Sequence, residues 1–371
     1  MTGTDKAIAA RFPSSSGSLR GLLGFLLIFA SVIPLMAQST QEKEFDFNLR
    51  AGTSATCPSL EQYSRERPDP PGVATQVGMG VVFADILEIR DTEQTFLADV
   101  WVALRWKDSR LADPSRGEAY ADCQLPDENA WIPRLQFRNL RDVKSNYEDI
   151  TLIDAEGYVN HFSRKLITVY SPLDLRDFPF DRQVLILTVD SVLTTNELTL
   201  EVLEEFSGLR QQSATSWSLG EPRASIAEEF APMRGADYSS YSSQVEATRE
   251  PGYYRRKLMI PVTLIVFMAW AIFWIQPSMI APQMGVGTTA MLTLIAYQFA
   301  LSGYLPRISY LTRADSFMLS CLVLVFAALM EAVATAALVN FGKEDQVLKM
   351  DRIFRVAYPV ALALVLATAM L

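Results

Sequence analysis

The chain has 371 residues, half of them apolar and one fifth charged, and its formal net charge is −9. Such a chain lacks the basic surface that neutralises phosphates, which excludes a nucleic-acid-binding protein. A single histidine, His161, removes the usual base of most hydrolases, and no cysteine and histidine cluster suggests a zinc site. We therefore expect no enzymatic activity and no metal or cofactor.

The first 37 residues have the layout of a secretory signal. Lys6, Arg11 and Arg20 precede an apolar run over residues 21–33, and Ala37 precedes a possible cleavage point. This run is too short to cross a bilayer comfortably. We expect a signal peptide over residues 1–37, with an uncleaved anchor as the alternative.

Charge divides the remaining chain into two regions. Residues 38–250 hold 36 acidic and 21 basic side chains, whereas residues 251–371 hold 5 acidic and 9 basic ones. No charged residue occurs in the 49 residues from Leu258 to Pro306, a longer apolar stretch than water-soluble cores contain. The division predicts an exported acidic domain over residues 38–250 and a transmembrane domain over residues 251–371.

The exported region shows the two-residue period of β-strands. In the segment from Thr95 to Lys107 every second residue is apolar, namely Phe96, Ala98, Val100, Val102, Leu104 and Trp106. Similar short runs are separated by turn-rich pieces. Many short strands without a long helical pattern predict an all-β, immunoglobulin-like sandwich. Cys57 and Cys123 both lie in this exported region, where a disulfide could persist, but their spacing does not demand one.

The second region predicts four transmembrane helices, over about residues 258–275, 282–304, 316–342 and 353–371. Basic residues flank these spans on both sides, so the positive-inside rule does not settle orientation. An exported domain followed by four crossings places the C-terminus on the outer side as well. Glu331 is the only acidic residue inside a predicted span, and we expect it to be a packing residue satisfied by polar neighbours.

The second predicted span has a distinct helical face, on which residues recur at intervals of three and four. These residues are Gly285, Thr289, Leu292, Ala296 and Phe299. One interpretation is an ordinary transmembrane helix with tolerated polar side chains. The other is a pore helix in which Leu292 and Phe299 form hydrophobic constrictions that close by dewetting. A single copy cannot enclose a channel, so the pore interpretation requires an oligomer.

Several motifs together resemble the pentameric ligand-gated ion channels, especially their bacterial members. The most specific is the segment from Ser171 to Gln183, with its Phe-Pro-Phe-Asp centre. Further matching pieces are Trp101, Trp106 to Leu111, Trp131-Ile132-Pro133, Arg249 with Pro261, and Leu305-Pro306. In animal members two cysteines close the signature loop. Ser171 and Leu185 occupy those positions here, so we expect that bridge to be absent.

The resemblance implies a homopentamer around a central pore, in which the β-sandwich binds ligand and precedes a four-helix bundle. It implies a bacterial inner-membrane protein whose N-terminal domain and C-terminus lie on the outer or periplasmic side. It also implies that gating is coupled between the two domains through Asp91, Phe180, Asp181, Arg249 and Pro306. Independent surface charges are the alternative for the ionic members of this set.

Members of this family bind ligand between neighbouring sandwiches, in an aromatic box that holds amines by cation–π attraction. The matching candidates here are Trp101, Phe137, Arg138, Phe230, Tyr238 and Tyr241. Val192 stands where many relatives carry an aromatic residue, so the box is incomplete. The alternative is that these aromatic residues only pack a subunit interface.

The expected function is a ligand- or proton-gated channel that passes small ions across the membrane. We expect monovalent cations, because acidic domains enrich cations near the pore, although Ile280 to Gln283 at the inner mouth carry no charge. The trigger is a small molecule such as an amine, or protons sensed mainly by carboxylates. The alternative function is a membrane-tethered recognition or sensor protein without a pore.

Overall fold

The computed structural model describes residues 65–112, 123–125, 131–145, 147–233, 235–302 and 308–370. The predicted signal peptide, Cys57 and Pro306 lie outside these residues. Within the described chain an all-β region precedes a helical region.

The described part of the β-region forms two sheets. The first has the strand order β10-β1-β2-β7-β6-β3, with β5 paired to β7 and β9 paired to β1. The second has the order β11-β13-β8-β4, with β12 paired to β13. The strands are β1 (Thr75–Arg90), β2 (Thr95–Lys107), β3 (Cys123–Leu125), β4 (Leu135–Phe137), β5 (Leu140–Lys144), β6 (Ile150–Ile153), β7 (Tyr158–Tyr170), β8 (Arg182–Thr194), β9 (Leu198–Val202), β10 (Gly208–Gln212), β11 (Trp217–Leu219), β12 (Arg223–Ala231) and β13 (Ala236–Arg249).

Strand β2 shows how the sequence builds the first sheet. All six of its alternating apolar side chains are buried, which confirms the predicted strand period. β2 pairs antiparallel with β7 along its whole length, from Thr95 opposite Tyr170 to Lys107 opposite Tyr158. In the second sheet Leu185, Leu187 and Val189 of β8 are equally buried. The apolar faces of the two sheets thus form the core of a sandwich, as the strand pattern predicted.

The cysteines divide into two kinds. Cys123, on β3, is disulfide-bonded, whereas Cys321 is free and buried among the helices. Ser171 and Leu185 are both buried in the sandwich. Because neither residue is a cysteine, no disulfide joins these two positions of the signature loop.

In the described part of the chain four helices follow, which are α1 (Gly252–Trp274), α2 (Ile280–Ser302), α3 (Arg313–Asn340) and α4 (Glu344–Met370). Helices α1, α3 and α4 are long and apolar enough to cross a membrane. Helix α2 has 23 residues, several of them polar. Helix α4 begins before residue 353, because a charged first turn continues the helix beyond its apolar run.

Close packing joins α2 to its neighbours at Gly287. A Cβ atom at this position would lie 2.7 Å from Leu329 Cδ1 and 3.2 Å from Ile272 Cδ1. Glycine is therefore required for the close approach of α2 to α3 and to the end of α1. The approach buries one face of α2, formed by Gln283, Gly287, Ala290 and Leu294.

Candidate functional site

A buried ionic network lies at the end of β13, directly before α1. The guanidinium of Arg249 donates to both oxygens of Asp181, at 2.7 and 3.2 Å, and to both oxygens of Asp91, at 2.8 Å each. The side chains of Arg249 and Asp181 are each 1% exposed, and that of Asp91 is 14% exposed. The structure thus joins the first β-turn, the signature loop and the last strand through one arginine.

Burial and pairing act in opposite directions on this arginine. Desolvation lowers the pKa of Arg249, but hydrogen bonds to Asp91 and Asp181 outweigh it, so the pKa lies above its ordinary value. Arg249 is therefore charged at every physiological pH. A charge held this deeply by two carboxylates is costly to leave unpaired.

Aromatic rings complete the surroundings of Arg249. Its guanidinium carbon lies 4.1 Å from the ring centre of Trp217, 4.9 Å from that of Phe178 and 5.8 Å from that of Tyr254. The rings of Phe178 and Tyr254 meet edge to face at 4.7 Å. Trp217 was not predicted, because its role arises from the pairing of β11 with β13, which sets Trp217 opposite Arg249. Its aromatic type was the only signal in the sequence.

The signature loop contacts the start of α3 directly. Asp177 accepts from Nε of Arg313 at 2.8 Å, the carbonyl of Phe178 accepts from the amide of Ala314, and Tyr310 accepts from the amide of Leu175. Phe180, predicted as a coupling residue, is partly buried against the core. Pro306 lies outside the described residues. The signature loop is therefore joined to the start of α3 by non-covalent contacts.

Helix α2 has an exposed face opposite its packed one. Gly285, Thr289, Leu292, Ala296 and Phe299, which were predicted to line a pore, are all exposed in the single chain. The exposed fractions of Leu292 and Phe299 are 62% and 74%. The hydroxyl groups of Thr288 and Thr293 donate to backbone carbonyls one turn earlier, so they keep acceptor capacity on this side. The predicted residues therefore share one face that the chain does not cover.

A second arginine network lies on the outer side of the second sheet. Arg138, next to β4, donates twice to Asp190, at 2.8 and 2.7 Å, and once to Glu229, at 3.0 Å. It also donates to the hydroxyl oxygens of Tyr238 and Ser240. These hydrogen bonds, foremost that to Asp190, raise the pKa of Arg138 above its ordinary value against the opposing effect of burial. Sequence reasoning found Arg138 and Tyr238 but missed Asp190 and Glu229, because strand pairing alone brings them together.

Trp101 lies on the other sheet, away from Arg138. Its ring faces the guanidinium of Arg164 at 5.5 Å, and the ring of Tyr147 faces the same group at 4.4 Å. Asp99 binds Arg164 at distances down to 2.6 Å. The aromatic surface predicted to hold an amine is thus in contact with a cation of the chain itself.

The other predicted ligand residues divide between surface and core. Phe230 is 61% exposed on β12, and Phe137 is partly buried against the core. Tyr241 is 0% exposed, so the prediction that it contacts ligand is corrected to a core role. The reason is strand alternation, because Tyr241 follows Ser240 by one residue and points to the opposite side of β13.

This combination of a β-sandwich, a buried junction network and an apolar helical region defines a class of membrane channel. A family model for the neurotransmitter-gated ion-channel ligand binding domain matches residues 58–256, and one for the transmembrane region matches residues 258–355. The chain belongs to this family of ligand-gated ion channels, as the sequence motifs indicated. Its members are channels and not enzymes.

A related protein of known description comes from Gloeobacter violaceus. It is described as a proton-gated ion channel and is 26% identical to this chain over 302 residues. The match covers 80% of this chain and 83% of the relative. The similarity therefore extends over both regions of the molecule.

Proposed function

We propose that five copies of this chain form a channel in a bacterial inner membrane, with α2 facing a central pore. In this arrangement α2 crosses the membrane together with α1, α3 and α4, which makes four spans. The sandwich and the C-terminus then lie on the outer or periplasmic side. The observation that carries the proposal is the uncovered face of α2. Its opposite face packs tightly at Gly287, while Leu292 and Phe299 remain exposed.

The exposed face of α2 is better suited to contact with water than to contact with lipid. A helix surrounded by lipid on its outer side has no need for hydroxyl groups there, whereas a water-filled pore hydrates them. Exposed Leu292 and Phe299 would narrow such a pore and close it by dewetting. A membrane-tethered sensor without a pore is the alternative, and it leaves the pattern of threonines on α2 without a role.

The trigger is proposed to act on the sandwich and to reach α2 through the Arg249 network. Two surfaces are candidates for a ligand: the Arg138 network on the second sheet and the Trp101 surface on the first. Neighbouring copies would bring them together. Both surfaces pair arginine with carboxylates, which favours a polar, charged ligand such as an amine with further polar groups. Because the Gloeobacter relative is described as proton-gated, protons are the second candidate trigger.

Cation selectivity is part of the same proposal. Residues 38–250 carry an excess of 15 acidic side chains, so five sandwiches around one axis would enrich cations at the pore entrance. The effect is electrostatic and weakens with salt over a Debye length of about 8 Å at physiological ionic strength.

Cysteine accessibility along α2 tests the pore. Single cysteines at 285, 289, 292, 296 and 299 are treated with a water-soluble thiol reagent in liposomes, with Ala290→Cys and Leu294→Cys on the packed face as matched controls. We expect modification at the five exposed positions, altered ion flux after it, and no modification of the controls. Equal protection of both faces, or a protein that carries no flux under any ligand or pH, would contradict the pore.

A further inference from the structure

A polar cluster lies inside the sandwich, around the single histidine of the chain. His161 is 5% exposed on β7, and its Nδ1 lies 2.9 Å from Oγ1 of Thr151 on β6. Because residues alternate along a strand, His161 shares the inward face of β7 with Val159 and Ile167, which are both fully buried. The imidazole ring is thus enclosed by the sandwich rather than presented to solvent.

A carboxylate and an ammonium group extend this cluster. Oδ2 of Asp149 lies 3.9 Å from Nε2 of His161, and Oδ1 of Asp149 lies 3.8 Å from Nζ of Lys165. Both distances are longer than a hydrogen bond, and the buried Oδ1 has no hydrogen-bond partner among the described residues. The side chains of Asp149 and Lys165 are 30% and 23% exposed, so protons can reach the cluster through water. Asp149 therefore has two nitrogen groups close by and a hydrogen bond to neither.

The strands that pack around His161 face it with uncharged residues in the described part of the chain. The residue opposite His161 on β2 is Leu104, and the residue opposite it on β6 is Thr151. On β3, Leu125 lies opposite Thr151. The inward residues of β4 and β8 in the second sheet are also uncharged, namely Leu135, Phe137, Leu185, Leu187, Val189 and Ser191. Among the described residues, Asp149 and Lys165 are therefore the charged groups that act on the ring.

A proton on the ring would change its contacts with both neighbours. Imidazole is the side chain whose ordinary pKa, about 6.5, puts its change of charge between about pH 5 and 8. In the charged ring both nitrogens donate, so Nδ1 must donate to Thr151 and Nε2 carries a hydrogen toward Asp149. A charge-assisted hydrogen bond of this kind is about 2.7–2.9 Å long, so the separation of 3.9 Å would close by about 1 Å. Protonation therefore draws Asp149 toward the ring.

The segment 147–149, directly before β6, connects this cluster to the aromatic surface of the first sheet. Asp149 contacts the inward face of β7, whereas Tyr147 contacts Arg164, which strand alternation places on the outward face. The ring centre of Tyr147 lies 4.4 Å from the guanidinium of Arg164, and that of Trp101 lies 5.5 Å from the same group. One residue separates Asp149 from Tyr147, so a shift of the carboxylate reaches the outward surface through a single short segment.

We propose that His161 is a proton switch that controls the surface formed by Trp101 and Arg164. The inference rests on the proposed function and deepens it, because it names the group through which acid acts on the sandwich. While His161 is neutral, Asp149 stays apart from the ring. A proton on His161 binds Asp149 to the ring, moves the segment 147–149 and, through Tyr147, changes the position of Arg164.

Hydrogen exchange at the imidazole carbon Cε1 tests the switch without any measurement of conduction. The rate of this exchange depends on the protonation of the ring, and mass spectrometry of the peptide that contains His161 measures it in the full-length protein in detergent. We expect the rate to titrate with pH. The midpoint should move to lower pH in Asp149→Asn, because the charged ring loses its carboxylate, and to higher pH in Lys165→Gln, because the ring loses a neighbouring cation. Glu148→Gln, at the exposed acid beside Asp149, is the matched control and should leave the midpoint unchanged.

Ion flux from liposomes against pH gives a second measurement. His161→Gln keeps a side chain that can hydrogen-bond to Thr151 but takes up no proton. Its flux should therefore lose the dependence on pH over the range in which the ring of the unmodified protein titrates. Tyr147→Ala should keep the titration of the ring and lose the response of the flux, because the connection to Arg164 is removed.

The two measurements separate this inference from the proposed function. An exchange midpoint that does not respond to Asp149→Asn would overturn the switch, and so would a pH response of the flux that persists unchanged in Asp149→Asn and His161→Gln. Either result would leave the channel standing. A ring that titrates and responds to Asp149→Asn, in a protein that conducts no ions at any pH, would contradict the proposed function and still support the proton site at His161. Asp149→Asn keeps the histidine, so the test remains decisive even where His161→Gln does not fold.

Discussion

Two arginines of the sandwich each bind two carboxylates, but one arginine is buried and the other is exposed to water. Arg249 binds Asp91 and Asp181 with its side chain 1% exposed, whereas Arg138 binds Asp190 and Glu229 with its side chain 38% exposed. Burial separates their roles. Water can replace the partners of Arg138, so a charged ligand can exchange with them at little cost, but it cannot reach Arg249. The Arg138 network suits recognition, and the Arg249 network suits a fixed mechanical connection.

The largest expected effect comes from breaking the buried network. Arg249→Gln leaves two carboxylates without their cation, and removal of one partner from a buried ion pair typically costs about 3–5 kcal/mol. We expect a large fall in the unfolding midpoint of the purified protein, measured by fluorescence-detected size-exclusion after heating. Arg223→Gln, which removes an arginine 80% exposed on the same sheet, is the control and should change the midpoint little. If the two substitutions lowered the unfolding midpoint equally, burial would not be what makes the Arg249 network strong.

The next effect compares the two carboxylates of the Arg249 network. Asp181→Asn should destabilise the protein more than Asp91→Asn, because Asp181 is fully buried and also accepts from Gln183 at 2.6 Å, while Asp91 is partly exposed to water. Hydrogen bonds to charged groups contribute about 1.5–3 kcal/mol, so the difference should be measurable in the same unfolding assay. Asp174→Asn on the exposed part of the signature loop is the control. The reverse order would show that burial does not set the strength of this network.

The smallest effect on stability is expected from Arg138→Gln. Exposed ion pairs contribute about 0–1 kcal/mol, so the unfolding midpoint should stay close to that of the unmodified protein. Ion flux from liposomes, measured against a panel of amines and a pH series, should instead lose or shift its response. Because Arg138 has a pKa above its ordinary value, the substitution should not act by removing a group that titrates near neutral pH. A large loss of stability with an unchanged response would assign Arg138 a structural role instead.

The repeating patterns of the sequence predicted elements well but could not predict contacts between them. The alternation of Phe96 to Trp106 identified β2, and the spacing of Gly285 to Phe299 identified the exposed face of α2, because both follow from the geometry of one element. Asp190 and Glu229 were missed as partners of Arg138. They are 52 and 91 residues away in sequence, and no local period records the strand pairing that joins them.

Errors of the sequence interpretation arose where one residue of register decides the outcome. Tyr241 was assigned to the ligand surface with Tyr238, but an odd separation along a strand puts the two rings on opposite sides. Trp101 was correctly expected on the polar face of β2, since its neighbours alternate with the core. The contact of Trp101 with Arg164 could not be predicted, because it depends on the register between β2 and β7, which sets these two residues opposite each other.

The sequence by itself determined the order of the two regions, the strand and helix periods, and the family, because local geometry and short motifs are properties of neighbouring residues. Only the tertiary structure decided that Trp217 meets Arg249 and that Asp190 and Glu229 meet Arg138. Burial decides the strength of these contacts, and burial depends on every element that packs around a residue rather than on the residue's own neighbours in the chain.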